Sequence, residues 1–505
     1  MDNAGQTPVV PRPALSGTVQ FIAWYARLTP HATAVVEAGV MVSYAELATD
    51  LLRYVRALED NSSRPGRIMP GMLVGVETAV RYLHLQLLLA CEVIGATSVS
   101  LASADLSADN EMLRGCDLLL TSRTPAQNLR VNTLVVTDGW LAEVAAQAVG
   151  PEDLGRLDQD IPGDRIVRIC RSSGTTGAPK LIAMSQATQQ SIVANYARAY
   201  TTAVTPRLCC LCIYNLALRA AYLTVVRALQ HGGVVYFSTT TEVPGLIESG
   251  TVNSALFMVG DLQRLVRDAR PPPPGHVLQI GAIGATVSPH LRRQVRDRWH
   301  AQFVNSYSSV ELGWVALIGE DEVGTLFPGA EVRIVDDLGR DCPPGAVGLI
   351  RARTETMVQG YLNNPTLTEA DFVDGWFRTS DLGMMPAPGR LVVLGRADDA
   401  LNIGGVKVLP TPIEARIKAI EGVVDAVIVS VDDRRQIPTL LVAVETVDGT
   451  PPHGLAEQLN PIVSPYQPSF VLLMLPKLPR TDSGKVRRTE VAAIYARALA
   501  QDRTG

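Results

Sequence analysis

Apolar and polar residues alternate along this chain with two periods, one typical of helices and one typical of strands. Apolar residues recur every three to four positions over residues 43–58 and 82–94, which predicts two helices. Short apolar runs predict strands around these helices: residues 72–77, 96–101, 118–120 and 133–136. A proline run at 271–274 predicts a surface connector before a strand at 276–283. Alternating strands and helices favour an α/β fold with parallel sheets covered by helices.

The pattern changes near residue 395. The last hundred or so residues predict elements of their own, namely helices at 412–420 and 489–500 and strands at 426–431 and 439–444. A chain of 505 residues is also too long for a single hydrophobic core. We therefore predict a large N-terminal domain over residues 1–395 and a small α+β domain over 399–505, with residues 396–398 between them.

Amino-acid composition and net charge limit the kinds of partner that this protein is expected to bind. The chain is 47% hydrophobic and 19% charged, which is typical of a folded globular protein. Its formal net charge of -5 provides no basic surface for nucleic acid. The longest apolar run, residues 85–102, is interrupted by polar residues and a glycine, so no membrane span is predicted. The amino acid sequence does not indicate the oligomeric state.

Cysteine usage and the N-terminal residues predict a cytoplasmic protein. The seven cysteines are scattered, and only Cys209 and Cys212 have a metal-like spacing. Because no second pair accompanies them, a structural zinc site is not expected. The first residues lack a basic region and an apolar core, so no signal peptide is expected.

A glycine- and hydroxyl-rich loop follows an apolar run at residues 166–170 that predicts a strand. Glycines allow tight turns that present backbone N–H groups, hydroxyls add further donors, and Lys180 adds a positive charge, so a polyphosphate is the expected ligand. The spacing differs from that of the Walker loop. The predicted phosphate-binding residues are Ser172, Ser173, Gly174, Thr175, Thr176, Gly177 and Lys180.

A second segment, Leu478-Pro479-Arg480-Thr481-Asp482-Ser483-Gly484-Lys485-Val486-Arg487-Arg488, lies near the end of the chain. Together with the first loop and four motifs in the same order, it resembles the adenylate-forming superfamily, which includes acyl- and aryl-CoA synthetases, adenylation domains and luciferases. The resemblance extends from Ser43-Tyr44-Ala45-Glu46-Leu47 to Arg488. It implies ATP, Mg²⁺ and coenzyme A as cofactors and a small carboxylic acid as substrate.

The resemblance assigns nucleotide-binding roles to residues between the two loops. Tyr307 is expected to pack on adenine and Glu311 to hold Mg²⁺, for which a carboxylate is a suitable ligand. Asp381 is expected to accept hydrogen bonds from both ribose hydroxyls, and Arg396 to contact ribose or phosphate. The remaining residues expected to contact adenine or ribose are Gly284, Ala285 and Ser306.

Lys485 and Glu311 are the expected catalytic residues. Attack of a carboxylate on the α-phosphate increases negative charge on the phosphate oxygens and on departing pyrophosphate. An ammonium group directed there stabilises mainly the transition state. The substrate carboxylate is already ionised near neutral pH, so no side chain has to act as base.

The resemblance also implies a second half-reaction. The C-terminal domain is expected to rotate about Asp398 between half-reactions, and Gly404, Gly405 and Lys407 are expected to line a tunnel for pantetheine. Adjacent glycines permit close approach of a slim thiol arm, although a plain hairpin would also use them. The acceptor is either CoA or a free carrier protein.

Several departures from the family pattern bear on ATP use. Leu181, Ser308 and Ser380 replace glycines, and Gln186 stands where many ligases have histidine. Val310 replaces a threonine whose hydroxyl contacts phosphate, and one such hydrogen bond is worth roughly 1.5–3 kcal/mol. The alternatives therefore include an acyl-adenylate:CoA transferase with weak or absent adenylation and an inactive nucleotide-binding scaffold.

The acid pocket is expected near Tyr214, Asn215 and Gly281. The Tyr214-Asn215 pair resembles that of some aryl-acid activating members, which favours an aryl or bulky cyclic carboxylic acid. Two interpretations of Asn215 stay open, a substrate contact and a satisfied buried amide. An adenylating enzyme that loads an aryl acid onto a separate carrier protein is a further alternative.

Overall fold

The computed structural model describes residues 14–60, 66–107, 110–124, 129–172, 180–200, 207–284, 287–403, 406–433, 437–446, 449–480 and 486–502. The chain divides into two compact units. The first comprises Met1–Cys170, Ala183–Val193 and Asn215–Val234, and the second comprises Arg171–Ile182, Ala194–Tyr214 and Val235–Gly505. The predicted boundaries at 395 and 399 are a different division of the chain, and they stay a prediction.

The first 172 residues alternate between helices and strands. Their elements are α1 (Thr18–Leu28), β1 (Thr33–Glu37), β2 (Val40–Ser43), α2 (Tyr44–Glu59), β3 (Leu73–Glu77), α3 (Arg81–Ile94), β4 (Thr97–Ser100), α4 (Glu111–Arg114), β5 (Leu118–Thr121), β6 (Asn132–Val135), α5 (Asp138–Ala145) and β7 (Ile166–Ser172). Five strands pair in parallel in the order β6-β5-β3-β4-β7. Both predicted helices and the predicted strands of this region are confirmed.

Residues 180–304 contain a second set of alternating elements. They are β8 (Lys180–Ser185), α6 (Gln186–Tyr200), β9 (Cys209–Cys212), α7 (Arg219–Gln230), β10 (Val234–Phe237), α8 (Val243–Glu248), β11 (Ser254–Met258), α9 (Val259–Asp268), β12 (Gln279–Ile283), α10 (Pro289–Trp299) and β13 (Gln302–Val304). Within the second unit, four strands pair in parallel in the order β13-β12-β11-β9. The α/β fold class is thereby confirmed.

An antiparallel sheet follows in the second unit. Its strands and one helix are β14 (Ser306–Ser309), β15 (Gly313–Ile318), β16 (Gly324–Leu326), β17 (Glu331–Val335), β18 (Gly348–Arg353), α11 (Pro365–Asp371), β19 (Phe372–Val373), β20 (Trp376–Ala387) and β21 (Arg390–Arg396). The strand order is β14-β15-β16-β21-β20-β18-β17, and β19 pairs with β20. Residues predicted to bind the nucleotide lie on β14, β20 and β21.

The C-terminal elements enclose a hydrophobic cluster of their own. They are β22 (Leu401–Ile403), β23 (Val406–Val408), α12 (Pro410–Lys418), β24 (Val423–Asp432), β25 (Pro438–Thr446), α13 (Leu455–Val463), β26 (Phe470–Leu475) and α14 (Arg488–Asp502). β25 pairs antiparallel with β24 and parallel with β26. Within the part of the chain that the structure describes, no helix is long and apolar enough to cross a bilayer.

Polar side chains lie within the core of the first unit. Glu92 on α3 and Arg168 on β7 are only 2% and 3% exposed. The Arg168 guanidinium lies 3.4 Å from the centre of the Tyr222 ring, a cation–π contact. Burial raises the pKa of Glu92 to about 7, although the positive charge of Arg168 acts in the opposite direction. A buried carboxyl of this kind is protonated at pH values where an exposed one is ionised.

Replacement of Glu92 with glutamine should reduce the pH dependence of stability. The raised pKa of Glu92 means that the folded state retains a proton which the unfolded state has lost between about pH 4.5 and 7. The unfolding free energy of the native protein should therefore fall as pH rises through that window, by roughly 3 kcal/mol at most. Urea unfolding at pH 5, 6, 7 and 8 measures this slope. Identical slopes for the native protein and Glu92→Gln would contradict the assignment.

Candidate active site

Four polar side chains from distant parts of the chain meet in the second unit. Lys180, the first residue of β8 after the glycine-rich loop, forms an ion pair of 2.8 Å with Asp371 at the end of α11. Its Nζ also donates to the Tyr361 hydroxyl at 3.2 Å. That hydroxyl lies 3.0 Å from Asp371 Oδ2 and 3.4 Å from Glu311 Oε1. Lys180 and Glu311, two predicted functional residues, therefore converge on one tyrosine.

The electrostatics of this cluster keep Tyr361 neutral. Burial, reinforced by the charges of Glu311 and Asp371, raises the pKa of Tyr361 far above its usual range. The phenol therefore donates a hydrogen bond, and the carboxylates accept it. Glu311 is 7% exposed, so its carboxyl group is buried within this cluster. These oxygen donors fit Mg²⁺, which takes one or two protein carboxylates and completes its shell with phosphate and water.

A second group of predicted residues meets where β14, β20 and β21 lie in one sheet. Tyr307 Oη donates to Asp381 Oδ2 at 2.5 Å. Asp381 and Arg396 are directly opposite in the β20–β21 register, with Arg396 Nε 3.8 Å from Asp381 Oδ1. Arg396 Nη2 lies 3.8 Å from Asp398 Oδ2. The guanidinium thus stands between the predicted ribose acceptor and the predicted hinge residue.

The residue before Asp381 adopts an unusual backbone conformation. Ser380 has φ of 59°, in the left-handed region that glycine occupies without strain. This is the position where the resemblance expects glycine. Thr379 and Asp381 are tied together locally, because Asp381 N donates to Thr379 Oγ1 at 3.1 Å. Ser380 on β20 thus has a backbone conformation that glycine adopts without strain.

The predicted acid-pocket residues have defined partners. Tyr214 Oη donates to Asp261 Oδ2 at 2.8 Å and accepts from Met258 N at 2.6 Å. Asn215 Oδ1 accepts from Ala217 N at 2.7 Å, which agrees with the interpretation of a satisfied amide for that oxygen. Contact of these side chains with a substrate stays a prediction.

Two predicted glycines occupy positions that favour glycine, one for lack of space and one for its backbone conformation. A Cβ on Gly281 would lie 2.0 Å from Tyr200 Oη, so no larger residue fits unless the tyrosine moves. Gly284, at the end of β12, has φ of 92°. Ser306 lies on β14 opposite Leu317 of β15. All three positions lie in the second unit.

Some predicted positions lie outside the described residues: Ser173, Gly174, Thr175, Thr176, Gly177, Ala285, Gly404, Gly405 and Lys485. Ser172 and Lys407 are placed at the end of β7 and within β23, and only their backbones are described. Their functional roles stay predictions.

Sequence reasoning did not identify Asp371 and Tyr361. Asp371 is about 190 positions from Lys180 along the chain, so no local pattern connects them. The sequence shows Asp371 only as an acidic residue before the apolar residues 372–373. Acidic residues are common at such surface positions, so this pattern does not indicate a functional site. Both residues now join the candidate site by geometry.

Comparison with known proteins identifies the family. The model of the AMP-binding enzymes matches residues 22–362, more than half of the chain. The chain belongs to the AMP-binding enzyme family. The match includes the glycine-rich loop, Glu311 and Tyr361, and it ends before the C-terminal elements described above.

Relatives of this AMP-binding enzyme include named CoA ligases. The chain is 27% identical to a 2-succinylbenzoate–CoA ligase of Listeria monocytogenes (serotype 4b, strain F2365), over 72% of this chain and 79% of the relative. It is 25% identical to a feruloyl-CoA synthase of Amycolatopsis sp, over 92% of this chain and 96% of the relative. The fold matches that of o-succinylbenzoate CoA synthetase (MenE) from Bacillus subtilis in complex with an acyl-adenylate intermediate. That TM-score is 0.73 at 20% identity, covering 94% of this chain and 97% of MenE.

Proposed function

We propose that this AMP-binding enzyme is an ATP-dependent acid–thiol ligase that acts on an aryl or bulky cyclic carboxylic acid. A carboxylate oxygen attacks the α-phosphorus of ATP, pyrophosphate leaves, and an acyl-AMP forms. The thiol of coenzyme A then attacks the acyl carbon and AMP leaves. The observation that carries the proposal is the convergence of Lys180 and Glu311 on Tyr361, directly after the glycine-rich loop.

The triphosphate end of the nucleotide is assigned to this cluster. Mg²⁺ held by Glu311 would neutralise phosphate charge, as it does in other phosphoryl transfers. Lys180 supplies a second positive charge, and Asp371 holds its ammonium in place at 2.8 Å. Because Tyr361 is neutral, its hydroxyl links Lys180 to Asp371 without adding negative charge beside the phosphates.

The nucleoside end is assigned to the group on β14, β20 and β21. Tyr307 provides the aromatic face for adenine and Asp381 the acceptor for the ribose hydroxyls. The hydrogen bond from Tyr307 orients one carboxylate oxygen of Asp381, and Arg396 stands near the other. Such pre-positioning reduces the entropy that substrate binding must overcome.

Lys485 and the C-terminal segment are assigned to the two half-reactions. Lys485 would stabilise the charge that develops on the α-phosphate during adenylation. Rotation about Asp398 would then remove it and bring the segment with Gly404, Gly405 and Lys407 to the acyl-AMP. CoA is the proposed acceptor, because the two relatives named above are a CoA ligase and an acyl-CoA synthase.

A panel of carboxylic acids tests this function. The protein is incubated with ATP, Mg²⁺, CoA and one acid, and AMP esters and thioesters are detected by mass spectrometry. The panel contains 2-succinylbenzoate, ferulate, salicylate and cyclohexanecarboxylate, with hexanoate and palmitate as linear controls. Thioester formation from cyclic acids well above that from linear acids is expected. Absence of both products for every acid would contradict the proposal.

One observation favours a second candidate function. Val310 provides no hydroxyl at the position where the resemblance expects threonine, and one lost hydrogen bond to a charged group corresponds to about a ten- to hundredfold lower rate. The second candidate is therefore an acyl-adenylate:CoA transferase with weak adenylation. Exchange of labelled pyrophosphate into ATP separates the two, since the transferase would show almost none while still converting a supplied acyl-AMP.

A further inference from the structure

The two ends of the segment that carries Lys485 are held together, and they are called here the base of the turn. Arg480 and Val486 pair as an antiparallel bridge, and Arg487 N donates to Pro479 O at 2.8 Å. Leu478, two residues before Arg480, is 1% exposed within a hydrophobic cluster. Lys485 lies between these anchors in sequence and is bonded directly to Val486, one of the two bridge residues.

Arg480 connects this base to two strands of the C-terminal sheet. Its Nη2 lies 2.6 Å from Asp425 Oδ2 on β24 and 3.2 Å from Glu445 Oε2 on β25. The exposed fractions of the three side chains are only 12%, 8% and 11%. Glu445 Oε2 also accepts from Leu478 N at 3.0 Å, so the same carboxylate holds the chain just before the turn. Arginine suits this role because its rigid guanidinium directs several donors at once.

The charges of this network balance. Lys418 at the end of α12 contacts the other oxygen of Asp425, with Nζ 2.8 Å from Oδ1. Two cations thus face two carboxylates in a largely buried site. A buried ion network of this kind contributes little net stability compared with apolar packing, but it requires one particular geometry. A catalytic ammonium group has to be held in a particular position, so a network that fixes geometry suits it better than one that only adds stability.

We propose that Arg480 is a positioning residue for adenylation, whose ion pairs with Asp425 and Glu445 fix the base of the turn that carries Lys485. This inference rests on the proposed function, in which Lys485 stabilises the adenylation transition state. A displacement of about 1 Å at a catalytic group lowers rates by up to about a hundredfold. Adenylation should therefore depend on Arg480, whereas transfer of a supplied acyl-AMP to CoA should not.

Three variants separate positioning from general stability. Arg480→Gln removes the charge that holds the turn, and Arg480→Lys retains the charge without the guanidinium fork. Lys418→Gln is the matched control, because it also removes a cation from Asp425 but lies on α12, more than sixty residues before Lys485. Each variant is measured for pyrophosphate exchange, for thioester formation from a synthetic acyl-AMP and CoA, and for its thermal unfolding midpoint.

Arg480→Gln is expected to lower kcat of exchange about ten- to a hundredfold, with KM for ATP and thioester formation within about threefold of the native enzyme. Arg480→Lys should recover part of the exchange rate. Lys418→Gln should lower the unfolding midpoint at least as much as Arg480→Gln and leave exchange within about threefold. Unchanged exchange in Arg480→Gln, or a parallel fall of both half-reactions, would overturn the role of Arg480. Failure of the native enzyme to exchange pyrophosphate with any acid would instead overturn the proposed function, and this role with it.

Discussion

Replacement of Lys485 with alanine should lower acyl-adenylate formation by about a hundred- to a thousandfold. The ammonium is expected to strengthen its interaction only as negative charge develops on the α-phosphate and on departing pyrophosphate, and loss of one such preorganised donor has about this effect. Thioester formation from a supplied acyl-AMP should stay within about threefold of the native rate. Pyrophosphate exchange measures the first half-reaction, and thioester release from synthetic acyl-AMP measures the second.

Lys477→Ala is the matched control for this result. Lys477 is an exposed lysine directly before the segment that contains Lys485, eight residues from it in sequence. Its replacement removes an equal charge and should leave both half-reactions within about threefold. Near-normal adenylation by Lys485→Ala, or an equal loss in both variants, would show that Lys485 does not have the proposed role.

Glu311→Gln should lower adenylation about a hundredfold and raise the Mg²⁺ concentration needed for half-maximal exchange. Glutamine has nearly the same shape as glutamate but lacks the negative charge that a hard divalent cation prefers. Glu311 is 7% exposed, so removal of its charge should leave the unfolding midpoint unchanged or raise it. The fall in activity would then come from the lost carboxylate and not from unfolding. Pyrophosphate exchange over a Mg²⁺ titration measures both effects.

Asp371→Asn is the control for Glu311→Gln. Asp371 is the other carboxylate on Tyr361, and it pairs directly with Lys180. Its replacement should change KM for ATP through Lys180 and leave the Mg²⁺ dependence as in the native enzyme. A Mg²⁺ dependence of Glu311→Gln identical to that of the native enzyme would contradict the assignment of Glu311 as the Mg²⁺ ligand.

Local sequence signals predicted most of the first parallel sheet and its helices. Helix α2 begins after Ser43, whose hydroxyl caps the helix while Glu46 reaches back to the Ser43 backbone. This capping box is readable in the sequence, and the predicted range 43–58 differs from the observed helix by one residue at each end. α3 ends at Gly95 in the left-handed conformation, another signal that sequence provides.

Elements set by long-range packing were harder to predict. The strand predicted at 276–283 begins only at Gln279, because His276 N donates to Pro273 O within the connecting turn. Helix α13 was not predicted, since it contains Pro461 and its N-cap is Gly454 in the left-handed conformation. Neither feature is typical of a helix in sequence.

The candidate site likewise contains residues that local sequence predicts and residues that only the tertiary fold brings together. Lys180, Glu311, Tyr307, Asp381 and Arg396 were identified by motif, because each lies in a short stretch with a characteristic pattern. The partners of these residues depend on the tertiary fold. Asp371 pairs with Lys180, and no spacing in the sequence indicates such a contact. Motifs thus predicted the chemistry, and the structure adds the residues that contact these side chains.

The central claim is that the carboxylate of the acid attacks the α-phosphate of ATP. The most direct test follows the carboxylate oxygen into the products. An accepted acid labelled with ¹⁸O in both carboxylate oxygens is incubated with the enzyme, ATP, Mg²⁺ and CoA, and the released AMP is analysed by mass spectrometry. Attack of the carboxylate on the α-phosphate places one labelled oxygen in AMP, so its mass should rise by about two units with one AMP per thioester. Unlabelled AMP, or ADP with the label in inorganic phosphate, would contradict the account.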